Sequence, residues 1–251
     1  WQYGVEVFGD KSPLMDVTII ALALRAIKNA GLENVSLQIN SIGCPSCRPQ
    51  YRRTLVRFLK DNEKKLCADC KRRLKTNPMR VLDCKEKGCI AVTEDAPQMI
   101  NSLCNSCHSH LKSILEYLDE IDILYEINPR LVRGLDYYIQ TVFEIWSEKE
   151  GGSLALGGGG RYDGLTELLG GKKIAGIGFG LGADRIVAAM KEAGVEISEE
   201  FSVDAFVIQL GAEAKKKCFK LIYELQNAGV GTEGSLDEVS MSSQLKKANR
   251  L

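Results

Sequence analysis

Eight of the nine cysteines lie between Cys44 and Cys107, and a thiol density of this kind restricts the possible folds more than any other feature of the 251-residue chain. Three pairs are tight. Cys44-x-x-Cys47, Cys67-x-x-Cys70 and Cys104-x-x-Cys107 have the two-residue spacing of a zinc knuckle, and Cys84 with Cys89 adds a looser fourth pair. In a small secreted protein such a count would indicate a disulfide framework. This chain is larger, and Trp1 to Asp10 lack the basic start and apolar middle of a signal peptide. Reduced thiols or a structural metal therefore fit better, and a cytoplasmic location is expected. Eight thiols can make two four-cysteine sites. Alternatively one site uses two pairs and the rest are free, or His108 or His110 replaces a cysteine, or the segment folds on buried thiols without metal. Those two histidines are the only ones in the chain, which leaves little material for a Ser/His/Asp or Cys/His nucleophile.

The overall balance of 33 basic and 33 acidic residues hides a local asymmetry. From Cys44 through Ile90 there are 14 lysines and arginines against five acids, an excess of nine positive charges. Such a patch suits a nucleic-acid phosphate backbone, with a merely solvated basic face as the alternative. No stretch approaches the roughly 18 uncharged apolar residues of a membrane span.

On either side of the cysteines the pattern is a strand and helix rhythm. Tyr3 to Gly9 reads as a strand already in progress, Val17 to Ala30 as a helix closed by Gly31, and Val35 to Asn40 as a strand of period two. Apolar residues thin out from Cys44 to about Tyr117, which marks an inserted lobe. Its last part, Pro97 to Leu118, carries Met99, Ile100, Leu103, Leu111, Ile114, Leu115 and Leu118 at helical spacing behind a proline start. Residues 123–193 return to strands, with glycines at 151–152, 157–160 and 170–171 marking turns, and Val187 to Val195 ends a helix. The acidic connector Glu196 to Ser202 suggests a domain boundary. Beyond it a βαβα pattern runs through Val203–Leu210, Ala212–Ala228, Val230–Thr232 and Ser242–Asn249. Both ends look cut, the first in mid-strand and the second before the sheet is complete.

Three strings resemble one family. Leu131-Val-Arg-Gly-Leu-Asp-Tyr-Tyr138, followed by Thr141-Val-Phe-Glu144, is similar to the signature of histidyl-tRNA synthetases. Gly157-Gly-Gly-Gly-Arg-Tyr-Asp-Gly-Leu165 resembles that family's second histidine-binding motif. Gly176-Ile-Gly-Phe-Gly-Leu-Gly-Ala-Asp-Arg185 resembles the third motif of class II synthetases, and Gln2-Tyr-Gly-Val-Glu6 the strand ending their second. The resemblance implies an α+β class II catalytic core, an antiparallel sheet with flanking helices, in residues 1–43 and 121–195. It also implies an inserted Cys-rich helical lobe in 44–120 that approaches the tRNA acceptor arm, and a partial α/β anticodon-binding domain in 203–251.

It further implies chemistry in which the carboxylate of histidine attacks the α-phosphate of ATP in line, where negative charge meets negative charge. Fixed guanidinium groups answer that problem because they stay charged and fork onto oxygen pairs. By the resemblance Arg133 neutralises the α-phosphate and the carboxylate, and Arg185 clamps the γ-phosphate. Gly182 and Gln2 line the ATP side, Mg2+ rides on the phosphates, and histidine is held by Gln2, Glu6, Arg133, Tyr137, Tyr138, Gly159 and Tyr162. Glu6 meets the ammonium and the three tyrosines surround the imidazole. If Tyr137 and Tyr138 lie on a strand they point to opposite faces, which makes one of them core.

The expected function is histidine–tRNA ligase, with histidine, ATP and tRNA(His) as substrates and a homodimer in the full-length parent. The 251 residues alone are expected to be inactive or weak in adenylate formation. A catalytically silent paralogue, such as the regulatory subunit of ATP phosphoribosyltransferase or an uncharged-tRNA sensor, is the alternative. Retention of Arg133, Tyr137, Tyr138 and Arg161-Tyr162-Asp163 favours the enzyme, since a silent relative has no need of a complete histidine pocket.

Overall fold

The computed structural model describes residues 1–134, 137–148, 154–195, 203–235 and 240–250. Residues Trp1–Val195 form one compact unit and Glu196–Leu251 another.

The first unit is built on a six-stranded sheet in the order β1-β6-β5-β4-β2-β3. Its strands are β1 (Gln2–Phe8), β2 (Val35–Ser41), β3 (Glu126–Ile127), β4 (Ile139–Ser147), β5 (Leu154–Arg161) and β6 (Gly176–Gly182). Every pairing is antiparallel except β2 with β3. Strand alternation gives this sheet two different faces. In β6, Ile177, Phe179 and Leu181 alternate with Gly176, Gly178, Gly180 and Gly182. The apolar set enters a core with Leu37, Ile39, Phe143 and Ile145. That core is closed by helix α1 (Pro13–Asn29) through Val17, Ile20, Ala23 and Ile27, and by α5 (Asn105–Glu120) through Ile114 and Leu118. After β5 comes the one-turn helix α6 (Leu165–Leu168), and after β6 helix α7 (Ala183–Glu192), which adds Ile186 and Ala189 to the core.

Two helices differ from the sequence pattern for local reasons. Helix α1 starts at Pro13, four residues before the apolar run, because the Ser12 hydroxyl caps the Met15 amide and proline is tolerated in the first turn. The helix expected over Pro97–Leu118 is broken. A 3-10 turn at Met99–Ser102 is followed by extended backbone at Leu103 and Cys104, and α5 begins only at Asn105 with Cys104 as its N-cap. The cysteine spacing overrides the apolar period there.

Glycines 157–160, expected as a turn, lie instead inside β5, paired with β4 on one side and β6 on the other. The two flanking strands run so close that a Cβ on Gly159 would sit 2.0 Å from the Gly178 carbonyl oxygen. Gly170 and Gly171 do form a turn, whereas 151–152 lie outside the described residues.

Between β2 and α5 the chain folds into α2 (Arg48–Asp61), α3 (Ala68–Thr76) and α4 (Lys87–Glu94), joined by short 3-10 turns. They share a second core in which Tyr51, Leu55, Leu59, Leu74, Val81 and Val92 pack with five buried cysteines, Cys47, Cys70, Cys84, Cys89 and Cys107. This core runs on into Leu131, Val132 and Val142, so the Cys-rich segment is packed onto the strand that follows it.

The second unit pairs β7 (Ala205–Val207) with β8 (Thr232–Gly234) in parallel, with helices α8 (Ala212–Asn227) and α9 (Met241–Ala248). The buried strand expected over Val203–Leu210 is only three residues long and half-buried. Side-chain amides replace apolar packing where it ends. Gln244 accepts from the Gln209 amide at 3.0 Å and donates to its carbonyl at 2.7 Å. The connector 196–202 lies outside the described residues. Among the described residues no helix is long and apolar enough to cross a membrane.

Candidate active site

The face of the sheet opposite the core is paved with glycine. Residues directly opposite in an antiparallel pair share a face, so the register places Glu144, Gly158, Gly180 and Gly4 in one row across the sheet. Gly160, Gly178 and Glu6 lie in the next row, and Gly182 and Gln2 at the rim. Gln2, Glu6 and Glu144 thus rise from a floor that carries almost no side chains. The floor is essential to the placement of Glu6, since a Cβ on Gly178 would sit 1.8 Å from its Oε2 and 2.5 Å from the Val5 carbonyl oxygen.

A cavity of about 550 Å3 opens on this floor, lined by Gln2, Arg133, Glu144, Gly157, Gly158, Gly180, Gly182, Asp184 and Arg185. Arg133 and Arg185 enter it from different elements. Arg185, in the first turn of α7, donates from Nη1 to the Ala155 carbonyl at 2.9 Å and is otherwise exposed. Arg133 precedes β4 and donates from Nη1 to Glu144 Oε1 at 2.9 Å, with both side chains 22% exposed. Burial raises the Glu144 carboxyl above the ordinary carboxylate range, although the Arg133 charge opposes it. The Arg133 Nε is buried and has no hydrogen-bond partner among the described residues. A guanidinium that lines a cavity and is held from one side by a carboxylate is arranged to receive an anion on its free edge.

Beside Arg133 three tyrosines converge. Its guanidinium lies 5.5 Å from the centre of the Tyr138 ring. The Tyr137 and Tyr138 rings are 4.8 Å apart, and Tyr162 stands edge-on to both at 6.0 and 6.1 Å. Neither Tyr137 nor Tyr138 is on a strand, because β4 begins at Ile139, so the two rings meet instead of pointing to opposite faces. The Tyr162 hydroxyl donates to Glu6 Oε2, and burial together with that bond pushes its pKa upward. Burial likewise raises Tyr137. The result is a half-buried aromatic corner with one carboxylate, next to a cavity lined by two arginines and two carboxylates.

The profile described as histidyl-tRNA synthetase matches residues 1–186. The chain is 43% identical over 249 residues to the histidine–tRNA ligase of Halothermothrix orenii, covering 99% of this chain and 59% of that protein. It is 45% identical over 250 residues to that of Thermoanaerobacter pseudethanolicus, covering 100% and 60%. The chain belongs to the histidyl-tRNA synthetase family. A solved apo histidyl-tRNA synthetase of S. aureus superimposes with a TM-score of 0.66 at 33% identity, over 99% of this chain and 62% of that one. The chain spans about 60% of the length of the curated relatives it matches.

Within this synthetase fold, Gln2, Arg133, Gly182 and Arg185 line one cavity, while Tyr137, Tyr138, Tyr162 and Glu6 form the adjoining corner. Gly159 pairs with Phe179 and faces the core side of the sheet; it contributes backbone, not an open-face position. Leu135 and Asp136 of the signature lie outside the described residues. Two side chains have partners that the strings themselves do not reveal. Glu144, inside the signature string, is the partner that holds Arg133. Arg161, counted with the histidine pocket, turns the opposite way. It pairs with Ile177 on the core side and is fully buried. There it bonds both Asp16 oxygens, Asp163 Oδ1 at 3.2 Å and the Asp10 carbonyl at 2.9 Å. Burial works against the Asp16 carboxylate, but His110 at 3.2 Å and Arg161 more than offset it and lower its pKa. His110 is therefore committed to Asp16, away from the thiols.

The eight lobe cysteines gather into two all-sulfur groups, Cys44, Cys47, Cys104 and Cys107 in one, and Cys67, Cys70, Cys84 and Cys89 in the other. Within each group the sulfur atoms all lie within 4.8 Å of one another, and no disulfide joins any of them.

Proposed function

We propose that the chain carries the adenylate-forming site of a histidine–tRNA ligase, which activates histidine with ATP and passes it to tRNA(His) in the cytoplasm. The observation that supports this most directly is the Arg133 guanidinium, held by Glu144, lining the glycine-floored cavity and lying beside the tyrosine corner. Histidine binds in the corner, its ammonium on Glu6 and its imidazole among the tyrosines. A pocket that hydrogen-bonds both ring nitrogens rejects apolar competitors, because they leave buried polar groups unpaired. Its carboxylate then lies against Arg133. ATP lies over the glycine floor, where the absence of side chains lets the nucleotide approach the backbone, and its outer phosphate meets Arg185.

A carboxylate oxygen attacks the α-phosphorus, the bond to the bridging oxygen breaks, and pyrophosphate leaves. Arg133 neutralises both reacting anions as they close. Glu144 and Asp184, the carboxylates lining the cavity, are the oxygen donors that would hold Mg2+ on the triphosphate, where it would supply charge neutralisation of the phosphates. A hydroxyl of the tRNA terminal ribose next attacks the activated carbonyl and releases AMP. The second unit is read as part of the anticodon-binding domain and the working enzyme as a homodimer.

Gly178→Ala tests the floor. The added methyl drives Glu6 from its seat and presses on β1, so histidine affinity measured by calorimetry is expected to fall by about tenfold or more. An unchanged affinity in a variant that melts like the wild type would refute the placement of the ammonium.

The basic segment is read as the tRNA-facing part. Asp69 already holds Arg72 at 2.7 Å on an exposed helix face, while Arg73 bonds the Arg80 carbonyl at 3.3 Å. Replacing both by glutamine is expected to weaken tRNA(His) binding uniformly and to flatten the slope of log affinity against log salt by about one to two. Filter binding across a salt series measures it, and an unaltered slope would count against that role.

A further inference from the structure

We propose that the two sulfur groups are separate zinc tetrathiolate sites, one nested inside the other along the chain, and that the outer ion braces the segment carrying Tyr138.

The geometry is that of a single tetrahedral ion. Four sulfurs set tetrahedrally about 2.3 Å from zinc lie about 3.8 Å from one another. Cys44 and Cys47 are 3.5 Å apart, Cys44 and Cys104 3.9 Å, and Cys67 and Cys84 3.9 Å. Each set draws its members from two places in the chain, so convergence does not follow from the C-x-x-C spacing alone. All-sulfur tetrahedral donors select zinc over hard cations.

The surroundings suit the net negative charge that four thiolates leave on such a site. Cys47, Cys104 and Cys67 are the N-caps of α2, α5 and α3, and Cys89 lies in the first turn of α4, so helix N-termini converge on both groups. Backbone amides also point at sulfur. Cys104 N donates to Cys47 Sγ at 3.1 Å, Cys67 N to Cys89 Sγ at 3.2 Å and Cys70 N to Cys67 Sγ at 3.4 Å. Such outer bonds hold metal ligands in orientation. Two of the helices they serve, α3 and α4, are only nine and eight residues long and bury few apolar side chains, and small cores of this kind commonly depend on a metal staple.

The inner site ties α3 to α4. The outer site closes the neck, where the chain leaves β2 and returns to α5, and it touches the pocket through two routes. Gln140, at the start of β4, exchanges backbone bonds with Ile42 and Gly43 at 2.8 and 2.9 Å, and its side-chain amide reaches Cys107 Sγ at 3.8 Å. Arg48, next to Cys47, donates to the Tyr138 carbonyl. Gln140 holds a positive φ of 51°, a conformation that needs its neighbours to maintain it.

Protein purified without chelator and assayed by plasma mass spectrometry is expected to carry two zinc ions per chain. Cys89→Ser and Cys107→Ser should each retain one, and the double variant none. If a variant fails to fold, stepwise release from the native protein by a mercurial, followed with a zinc indicator, supplies the same count. Folded native protein without zinc, whose thiols all react freely with a disulfide reagent, would overturn the proposal, as would iron in place of zinc. Cys107→Ser is expected to weaken histidine binding about tenfold, while Cys89→Ser leaves it unchanged. Equal effects, or none, would overturn the bracing. That last part rests on the tyrosine corner being the histidine site, whereas the metal count does not. Two zinc ions in a protein that binds no histidine would therefore uphold the sites and refute the pocket.

Discussion

Arg133→Ala is expected to weaken binding of a stable histidyl-adenylate analogue by roughly 10^2- to 10^3-fold, the usual consequence of removing one preorganised charge from a developing anion. Two effects add. The variant loses the cation between carboxylate and phosphate. It also leaves Glu144, only 22% exposed, without the guanidinium that now sits 2.9 Å away, so a carboxylate faces the incoming phosphates. Arg133→Lys separates the two. It restores a charge but not a planar fork that bonds Glu144 while still offering donors to the ligand, and it should recover only part of the loss. Calorimetry with the analogue, run beside free AMP, is the measurement. An alanine variant that binds the analogue within about twofold of the wild type would remove Arg133 from the chemistry.

Arg161→Ala is expected to cost about 3–5 kcal/mol of stability, because it strips the partner from charges that have no access to water. Asp16 and the Arg161 side chain are both fully buried, and Asp163 is nearly so. Two carboxylates would then share the vacated space, with His110 beside Asp16 and the Gly176 amide on Asp163 but no permanent cation. Domains are stable by about 5–15 kcal/mol, so this change alone removes a large share. Urea titration followed by circular dichroism measures it. Replacing Arg161 by methionine together with Asp16→Asn and Asp163→Asn should recover much of the loss, since a neutral set leaves no buried charge. A single alanine variant with an unshifted midpoint would show that the network contributes nothing.

The strand and helix framework was readable because apolar residues alternate in β2, β4 and β6 and recur at helical spacing in α1, and no long-range contact overrides them. β5 was not, because four consecutive glycines have no side-chain pattern to show. Only the strands on either side make them a strand. The start of α5 was hidden for the opposite reason, an apolar period that the cysteine pair interrupts. In the site, Arg133, the tyrosines and Arg185 could be named from short strings of sequence. The task of Glu144 could not, since it depends on the course of the chain between residues 133 and 144. Arg161 was misread because its partner Asp16 is 145 positions away, and burial is a property of that encounter.

The glycine pavement has a further consequence for how such a protein can change. At Gly158, Gly160 and Gly178 an added Cβ would meet a backbone oxygen of the neighbouring strand at 2.3, 2.4 and 2.5 Å, whereas at Gly180 it would meet only the Gln2 side chain at 3.7 Å. New ligand preferences are therefore expected at the margins, in β1 and in the stretch from Leu131 to Tyr138, while the bed of the proposed nucleotide site stays as it is. Directed evolution for an altered amino acid would find its useful variation along that margin and only losses at positions 158, 160 and 178.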